Sequence, residues 1–449
     1  MPDTRILYIS LGCDKNLVDS EQMIALLKKN GYSFTDDEAE ADVVIINSCC
    51  FIGDAKEESI EAVLQAGELK KSGQVKCIIL TGCLAERYAD EIRKELPEVD
   101  AIVGTTAFDR IADVMDSVLK GERPTVREDI NRPLYMEGAP ELTAGGHYAY
   151  LKIAEGCDKR CTYCIIPSVR GQYRSVPMEK LLSDARLLAK RGVKELILVA
   201  QETTVYGMDL YGRKALPELL KALCQIEGFR WIRLLYCYPE EIDENLIQVI
   251  REEEKVCKYL DLPIQHISDR ILKRMGRRTS GADIKALIHR LREEIPGIAL
   301  RTTLISGFPG ENQKDHEELL EFIKEARFDF LGCFAYSREE DTPAADYPDQ
   351  VPEEIKEKRR GEIMETQQEL AFERVRSQTG QRFEVMIEGR IPEDHVYVGR
   401  TERDAPDVDG YVFISDPENG PTPEWMTGDF VTAEIIGANG YDLIGEVLE

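Results

Sequence analysis

The sequence predicts an α/β protein of three parts: an N-terminal open parallel-sheet domain, a central partial (β/α)6 barrel and a C-terminal small all-β barrel. Three observations predict it. Residues 5–120 alternate short β-branched runs with helical stretches, the pattern of βαβ units on a parallel sheet. The alternation resumes near residue 148 for six strand–helix repeats, too few for an eight-stranded barrel and suited to a partial one. From about Val375 the helical signal stops, and alternating strands with turns rich in Gly, Pro and Asp take over. A length of 449 residues, at about 150 per domain, agrees with three units.

In the first unit, residues 5–10 read as a strand followed by a helix through 20–27. Residues 41–47 form a second strand with a helix over 55–70, residues 75–81 a third, and residues 101–104 a fourth before a last helix at 111–119. Cys13, Cys49 and Cys83 each fall just beyond the carboxyl end of one of the first three strands. Those ends share one edge of an open parallel sheet, where ligands bind, so three cysteines distant in sequence are expected to converge. A single such cysteine is most simply a small buried hydrophobe; three at equivalent places call for another account. Cys50 is expected to pack, with a role as a spare ligand left open, and Cys77, inside the third strand, is expected in the core.

The first domain thus spans residues 1–123, and 124–143 form a polar linker in which a hairpin fits. The central domain, 144–351, has strand candidates at 148–153, 195–200, 231–236, 259–262, 298–305 and 328–334. Its active site is expected at the strand carboxyl ends. Residues 352–374, rich in Glu, Lys, Arg and Gln, read as a connecting helix, and 375–449 as the β-barrel.

Charge narrows the partners. There are 57 basic and 84 acidic residues, a formal net charge of −27. A field of that sign repels phosphate backbones, which disfavours broad capture of nucleic acid and favours a basic partner. Residues 375–449 carry five arginines, no lysine and 16 acidic residues, so −11 of the total lies on the last module. No apolar run approaches the roughly 18 residues of a membrane span, and the first residues lack the apolar core of a signal peptide. A cytoplasmic protein without membrane attachment is expected, in which twelve cysteines are not a disulfide framework.

Cys157, Cys161 and Cys164 form a C-x3-C-x2-C group just after the first barrel strand, with the aromatic Tyr163 before the last cysteine. Zinc sites usually take four protein ligands, or three and a water, often with histidine. Here no fourth Cys or His lies nearby, and three thiolates on one short loop suit an iron–sulfur cluster with one iron left open. A redox dithiol would leave the third cysteine unexplained.

With this triplet the sequence resembles the radical S-adenosylmethionine superfamily, in which it holds a 4Fe–4S cluster. The resemblance implies that the open iron chelates the amino and carboxylate groups of S-adenosylmethionine, whose one-electron reduction gives a 5′-deoxyadenosyl radical. Gln201-Glu202-Thr203 follows the second barrel strand, where that family contacts the methionyl amino group. Leu262-Pro263-Ile264-Gln265-His266 and Gly307-Phe308-Pro309-Gly310-Glu311 close later strands. Tyr163, Gln201, Glu202, Gln265 and Gly307 are the positions expected to contact the cofactor, and no side chain is singled out as a catalytic residue.

The N-terminal motifs narrow the family. Ser10-Leu11-Gly12-Cys13-Asp14-Lys15-Asn16-Leu17-Val18-Asp19-Ser20-Glu21, Asn47-Ser48-Cys49 and Thr81-Gly82-Cys83-Leu84-Ala85-Glu86 resemble the methylthiotransferases, with matches over nearly the whole chain. Asp14 and Cys50 depart from that pattern, where Pro and Gly are common. The resemblance implies a second 4Fe–4S cluster on Cys13, Cys49 and Cys83, carrying sulfur that is methylated by one S-adenosylmethionine. A second molecule supplies the radical that abstracts hydrogen from the substrate.

Such enzymes act on a modified adenosine of transfer RNA or on an aspartate of ribosomal protein S-twelve. The run after Cys13 and the segment Gly399-Arg400-Thr401 with Asp404-Ala405-Pro406-Asp407-Val408-Asp409-Gly410, in a barrel resembling the TRAM module, are similar to the ribosomal-protein enzymes. A lysine-free acidic module also lacks the basic groove that transfer RNA requires. The expected partners are therefore the basic ribosomal protein, whose target would be modified at its β-carbon, a sulfur donor, and a one-electron reductant such as flavodoxin or ferredoxin. The acidic module is expected to hold the substrate at the barrel mouth. The alternatives are a transfer-RNA N6-isopentenyladenosine methylthiotransferase and a non-catalytic iron–sulfur carrier.

Overall fold

The computed structural model describes residues 4–133, 140–143, 145–415 and 424–448. Its first sheet is parallel throughout, with Arg5–Ser10, Val43–Ser48, Cys77–Gly82 and Ala101–Val103 as its inner strands. Two-residue strands, Ser33–Phe34 and Thr125–Val126, close the edges. Val43–Ser48 and Cys77–Gly82 are buried along their whole length, which is why they read as continuous apolar runs rather than alternating ones. The first helix, Asp14–Lys29, begins directly after Cys13, earlier than the apolar pattern predicts, because polar Asn16, Asp19, Ser20 and Glu21 are buried on it. The stretch expected as a linker contributes Thr125–Val126 to the sheet, and its central part, 134–139, lies outside the described residues.

The six central strands run in sequential order: Tyr148–Lys152, Glu195–Val199, Trp231–Leu234, Tyr259–Asp261, Ala299–Ser306 and Phe330–Ala335. They form two three-stranded parallel sheets joined by a parallel bridge between Ile232 and Val256 and by the Cys237 N–H donating to the Asp261 carbonyl at 2.9 Å. The helix Glu353–Ser377 packs against the last strands: Lys356 Nζ donates to the Tyr336 carbonyl and Gln367 Nε2 to that of Phe328. It seals the barrel side as well as connecting it to the C-terminal unit. That unit is a closed five-stranded barrel whose core includes Val385, Ile387, Tyr397, Val412, Ala433 and Ile435.

The two outer domains plug opposite ends of the central barrel. Tyr148, Tyr150, Ile197, Val199, Trp231 and Tyr259 form one apolar cluster with Val18 of the first helix and with Ala405 and Met386 of the C-terminal barrel. That barrel meets the amino ends of the strands. Glu195, fully buried, accepts from Arg233 Nε and Arg400 Nη2, each at 2.6 Å, and Trp231 stacks edge-on against Phe430. The acidic loop packs on that end of the barrel: Tyr148 donates to Asp407, which stays exposed, Tyr259 to Asp409, and Thr401 to Asp404. The acidic module thus meets the amino ends of the barrel strands rather than the mouth beside the cysteines where it was expected, and these three acids bond to tyrosines, a threonine and backbone N–H groups.

Candidate functional site

Cys13 caps the first helix and is exposed, whereas Cys49 and Cys83, each following its strand, are buried. Gly12 has φ +87°, and a Cβ there would lie 2.8 Å from Cys49 Cβ, so glycine lets the two cysteine-bearing loops touch. Gly82 plays the same part before Cys83, with its face against Asn47 and the Ser48 carbonyl. Asn16 Nδ2 donates to the Leu11 and Ser48 carbonyls, both at 3.0 Å, and Asn47 Nδ2 to the Asn16 carbonyl at 2.8 Å, tying the loops together. Burial pushes the Cys49 thiol up, and Cys13 adds to that. Burial pushes Cys83 up to about 12, with Arg170 opposing and Cys49 and Cys13 reinforcing. The three thiols thus repel one another's charge, as they must if they face one site. Cys50, by contrast, is fully buried in the apolar cluster with Val63, Ile78 and Leu84.

The second set sits on one loop at the carboxyl end of the first barrel strand. Its backbone is anchored by Cys157 N–H to the Gly171 carbonyl and Thr162 N–H to that of Met275. Burial pushes Cys157 up to about 12 and raises Cys164, which Cys161 and Cys157 raise further. Cys161 Sγ lies 3.5 Å from the Tyr238 hydroxyl. Both sets consist of thiols alone, and among the described residues no group of three or more His, Cys, Asp or Glu side chains gathers around a single-ion position. A multi-iron cluster presents a separate metal atom to each thiolate, so three spaced thiols per site fit that group better than one ion.

Of the expected cofactor contacts, Tyr163 is part of this loop and Glu202 lies beside it: the Glu202 charge raises Cys157, and Lys159 Nζ is 3.7 Å from its carboxylate. Burial pushes Glu202 up to about 7, so a cation arriving beside it would be well received. Gln201 Nε2 donates to Glu155 at 2.7 Å, which leaves its buried Oε1 without a partner. Tyr163 packs edge-on to Phe308. Gln265 has φ +71° and is bridged to Leu304, a strained bend at a strand end. Gly307 stands apart: its N–H donates to Glu311 at 2.7 Å, and Lys356 lies against it.

Sequence reasoning missed Arg170. Arising just after the triplet, it is buried, with Nε 3.3 Å from Cys83 Sγ and Nη1 2.6 Å from Asp19. One guanidinium from the central domain thereby reaches a thiol of the first domain. Tyr236, past the third barrel strand, makes a second link: it has φ +58°, and its hydroxyl donates to Asp14 at 2.9 Å. The signal for both was weak, since an arginine or tyrosine carries no spacing that marks a long-range partner.

Residues 151–323 match the Radical SAM superfamily, residues 379–448 the TRAM domain, and residues 5–104 a family described as uncharacterized protein family UPF0004. The chain is 56% identical over 441 residues to the ribosomal protein uS12 methylthiotransferase RimO of Lachnoclostridium phytofermentans, covering 98% of this chain and 99% of that one. It is 47% identical over 445 residues to the protein of the same name from Clostridioides difficile, covering 99% of each. Among solved structures, the radical S-adenosylmethionine methyltransferase TsrM from Kitasatospora setae aligns with a TM-score of 0.53 at 14% identity over 77% of each chain, a likeness of fold. Near-complete coverage at such identity, with the cysteine sets in place, settles the family: the chain belongs to the RimO methylthiotransferases of the radical S-adenosylmethionine superfamily.

Proposed function

We propose that this enzyme installs a methylthio group on the β-carbon of an aspartate in ribosomal protein uS12, the substrate class in its relatives' name. The observation that carries the reading is that Arg170, which follows the second three-cysteine set in the central domain, reaches Cys83 of the first set. In this reading residues 1–123 carry an auxiliary cluster on Cys13, Cys49 and Cys83. Residues 144–351 carry the radical-forming cluster on Cys157, Cys161 and Cys164, and residues 375–449 brace the barrel from below. When bound, the clusters supply the electron that cleaves S-adenosylmethionine and the sulfur that enters the product.

The chain's own residues hold and shield these groups. Arg170 offsets thiolate charge beside Cys83, and Glu202 receives the methionyl amino group while Tyr163, Gln201, Gln265 and Gly307 frame the rest of the cofactor. Tyr148, Tyr150, Ile197, Trp231 and Tyr259 fill the barrel below the site and exclude water from a reactive intermediate. An unactivated C–H bond demands that protection, since no side-chain base removes such a proton. A sulfur donor and a one-electron donor of the flavodoxin or ferredoxin type complete the cycle in the cytoplasm. Among the described residues no helix is long and apolar enough to cross a membrane.

The test is mass spectrometry of uS12 after incubation with reconstituted enzyme, S-adenosylmethionine and dithionite. One methylthio group on a single aspartate is expected. Methylthiolated isopentenyladenosine in transfer RNA with untouched uS12 would overturn the reading, and absence of 5′-deoxyadenosine would leave only an iron–sulfur carrier.

A further inference from the structure

Lys15 stands two residues after Cys13, in the first turn of the first helix, and is 6% exposed. Its ammonium lies over the Tyr236 ring, 3.2 Å from the centroid. Among the described residues it makes no salt bridge or hydrogen bond, although the charges of Asp14 and Asp261 are felt in the same pocket. Both are otherwise engaged: Asp14 accepts from the Tyr236 hydroxyl at 2.9 Å, and Asp261 accepts from the Tyr236 N–H at 3.0 Å and faces Arg301 at 3.9 Å. Gly12 and Cys13 are exposed, so Lys15 lies just inside a rim that opens beside the cysteines. The ammonium of a buried side chain is normally paired; one that rests on an aromatic face and, among the described residues, makes no ion pair holds unused donors for a negatively charged group.

We infer that Lys15 is the specificity residue that receives the side-chain carboxylate of the target aspartate, holding its β-carbon between the two cysteine sets. The inference rests on the uS12 reading and deepens it. Tyr236 fixes the ammonium from below, and Asp14 and Asp261, bonded to Tyr236, lie near its charge without hydrogen-bonding to it. A carboxylate entering from the rim completes the missing ion pair, whereas the isosteric amide leaves the Lys15 charge unpaired. Discrimination of acid from amide by such a site amounts to about tenfold or more.

The experiment measures binding, so it does not depend on turnover. A fluorescent peptide spanning the uS12 target loop, and its Asp→Asn version, are titrated by anisotropy against the reconstituted enzyme and its Lys15→Met and Lys15→Arg variants. Iron per chain serves as the check on folding. Wild type is expected to prefer the aspartate peptide about tenfold, Lys15→Met to bind both alike, and Lys15→Arg to keep the preference. Equal weakening of both peptides by Lys15→Met, with the preference intact, would reduce Lys15 to a structural residue and overturn the inference. So would weaker binding of S-adenosylmethionine with the peptide preference unchanged, which would assign the ammonium to the methionyl carboxylate. If wild type binds neither peptide, the uS12 reading itself fails, an outcome distinct from loss of preference in one variant.

Discussion

Arg400→Met should detach the C-terminal barrel from the central one far more easily than its single residue suggests. The guanidinium is fully buried and donates to Glu195 Oε2 at 2.6 Å, Glu388 Oε1 at 2.7 Å and the Asp404 carbonyl at 2.8 Å. Burial works against the Glu195 carboxylate, and Arg233 and Arg400 together hold it below the usual range. Removing Arg400 leaves Glu195 with one partner and Glu388 with His147 alone, a loss of about 3–5 kcal/mol for a broken buried pair. The control is Arg230→Ala, which removes the exposed Arg230–Glu384 pair across the same interface and should cost about 0–1 kcal/mol. Trp231, edge-on to Phe430 at 5.0 Å, is a natural reporter, and Trp425→Phe makes it the sole tryptophan. With an m value of about 1–3 kcal/mol/M, the urea midpoint of Trp231 fluorescence should fall by about 1 M or more in Arg400→Met. A shift no larger than the control's would refute the claim that this network fastens the module.

Three further outcomes are expected. Cys50→Ala should retain the full iron content of the reconstituted enzyme, whereas Cys49→Ala should lose about half, because Cys49 lies against the Cys13 loop and Cys50 packs in the apolar cluster. Gly12→Ala, forced into φ +87° with its Cβ 2.8 Å from that of Cys49, should likewise lose about half the iron while the far-ultraviolet circular dichroism is kept. Burial pushes Asp409 from 3.8 up to about 6, so between those values the folded chain holds a proton that the unfolded chain has released. Its contribution therefore falls as pH rises from about 4 to 6, and Asp409→Asn should flatten the Trp231 midpoint over that window relative to wild type.

Much of this architecture was legible because burial writes itself into sequence. Val43–Ser48 and Cys77–Gly82 are buried on both faces, so their apolar runs stand out, and Cys49 and Cys83 follow their ends by one residue, Cys13 its strand's by three. Ser33–Phe34 and Thr125–Val126 were not legible, since two residues carry no period. Asp409 was legible as charge and misleading as surface: what decides its role is Tyr259 and Arg301, which lie far away in sequence. Arg170 and Lys15 escaped for the same reason. Each is an ordinary basic residue until the fold shows which thiol or ring it faces.

The reach of Arg170 has a consequence for how such an enzyme can be taken apart. An excised first domain would keep all three thiols and lose the cation that stands beside Cys83, together with the Tyr236 hydroxyl that steadies Asp14. Its cysteines would be an incomplete vessel, short of the charge that favours thiolate over thiol. On the proposed reading, cluster loading at the first domain would depend on docking with the second. A chimera that pairs this first domain with a foreign barrel needs an arginine at the position of Arg170 before it needs anything else.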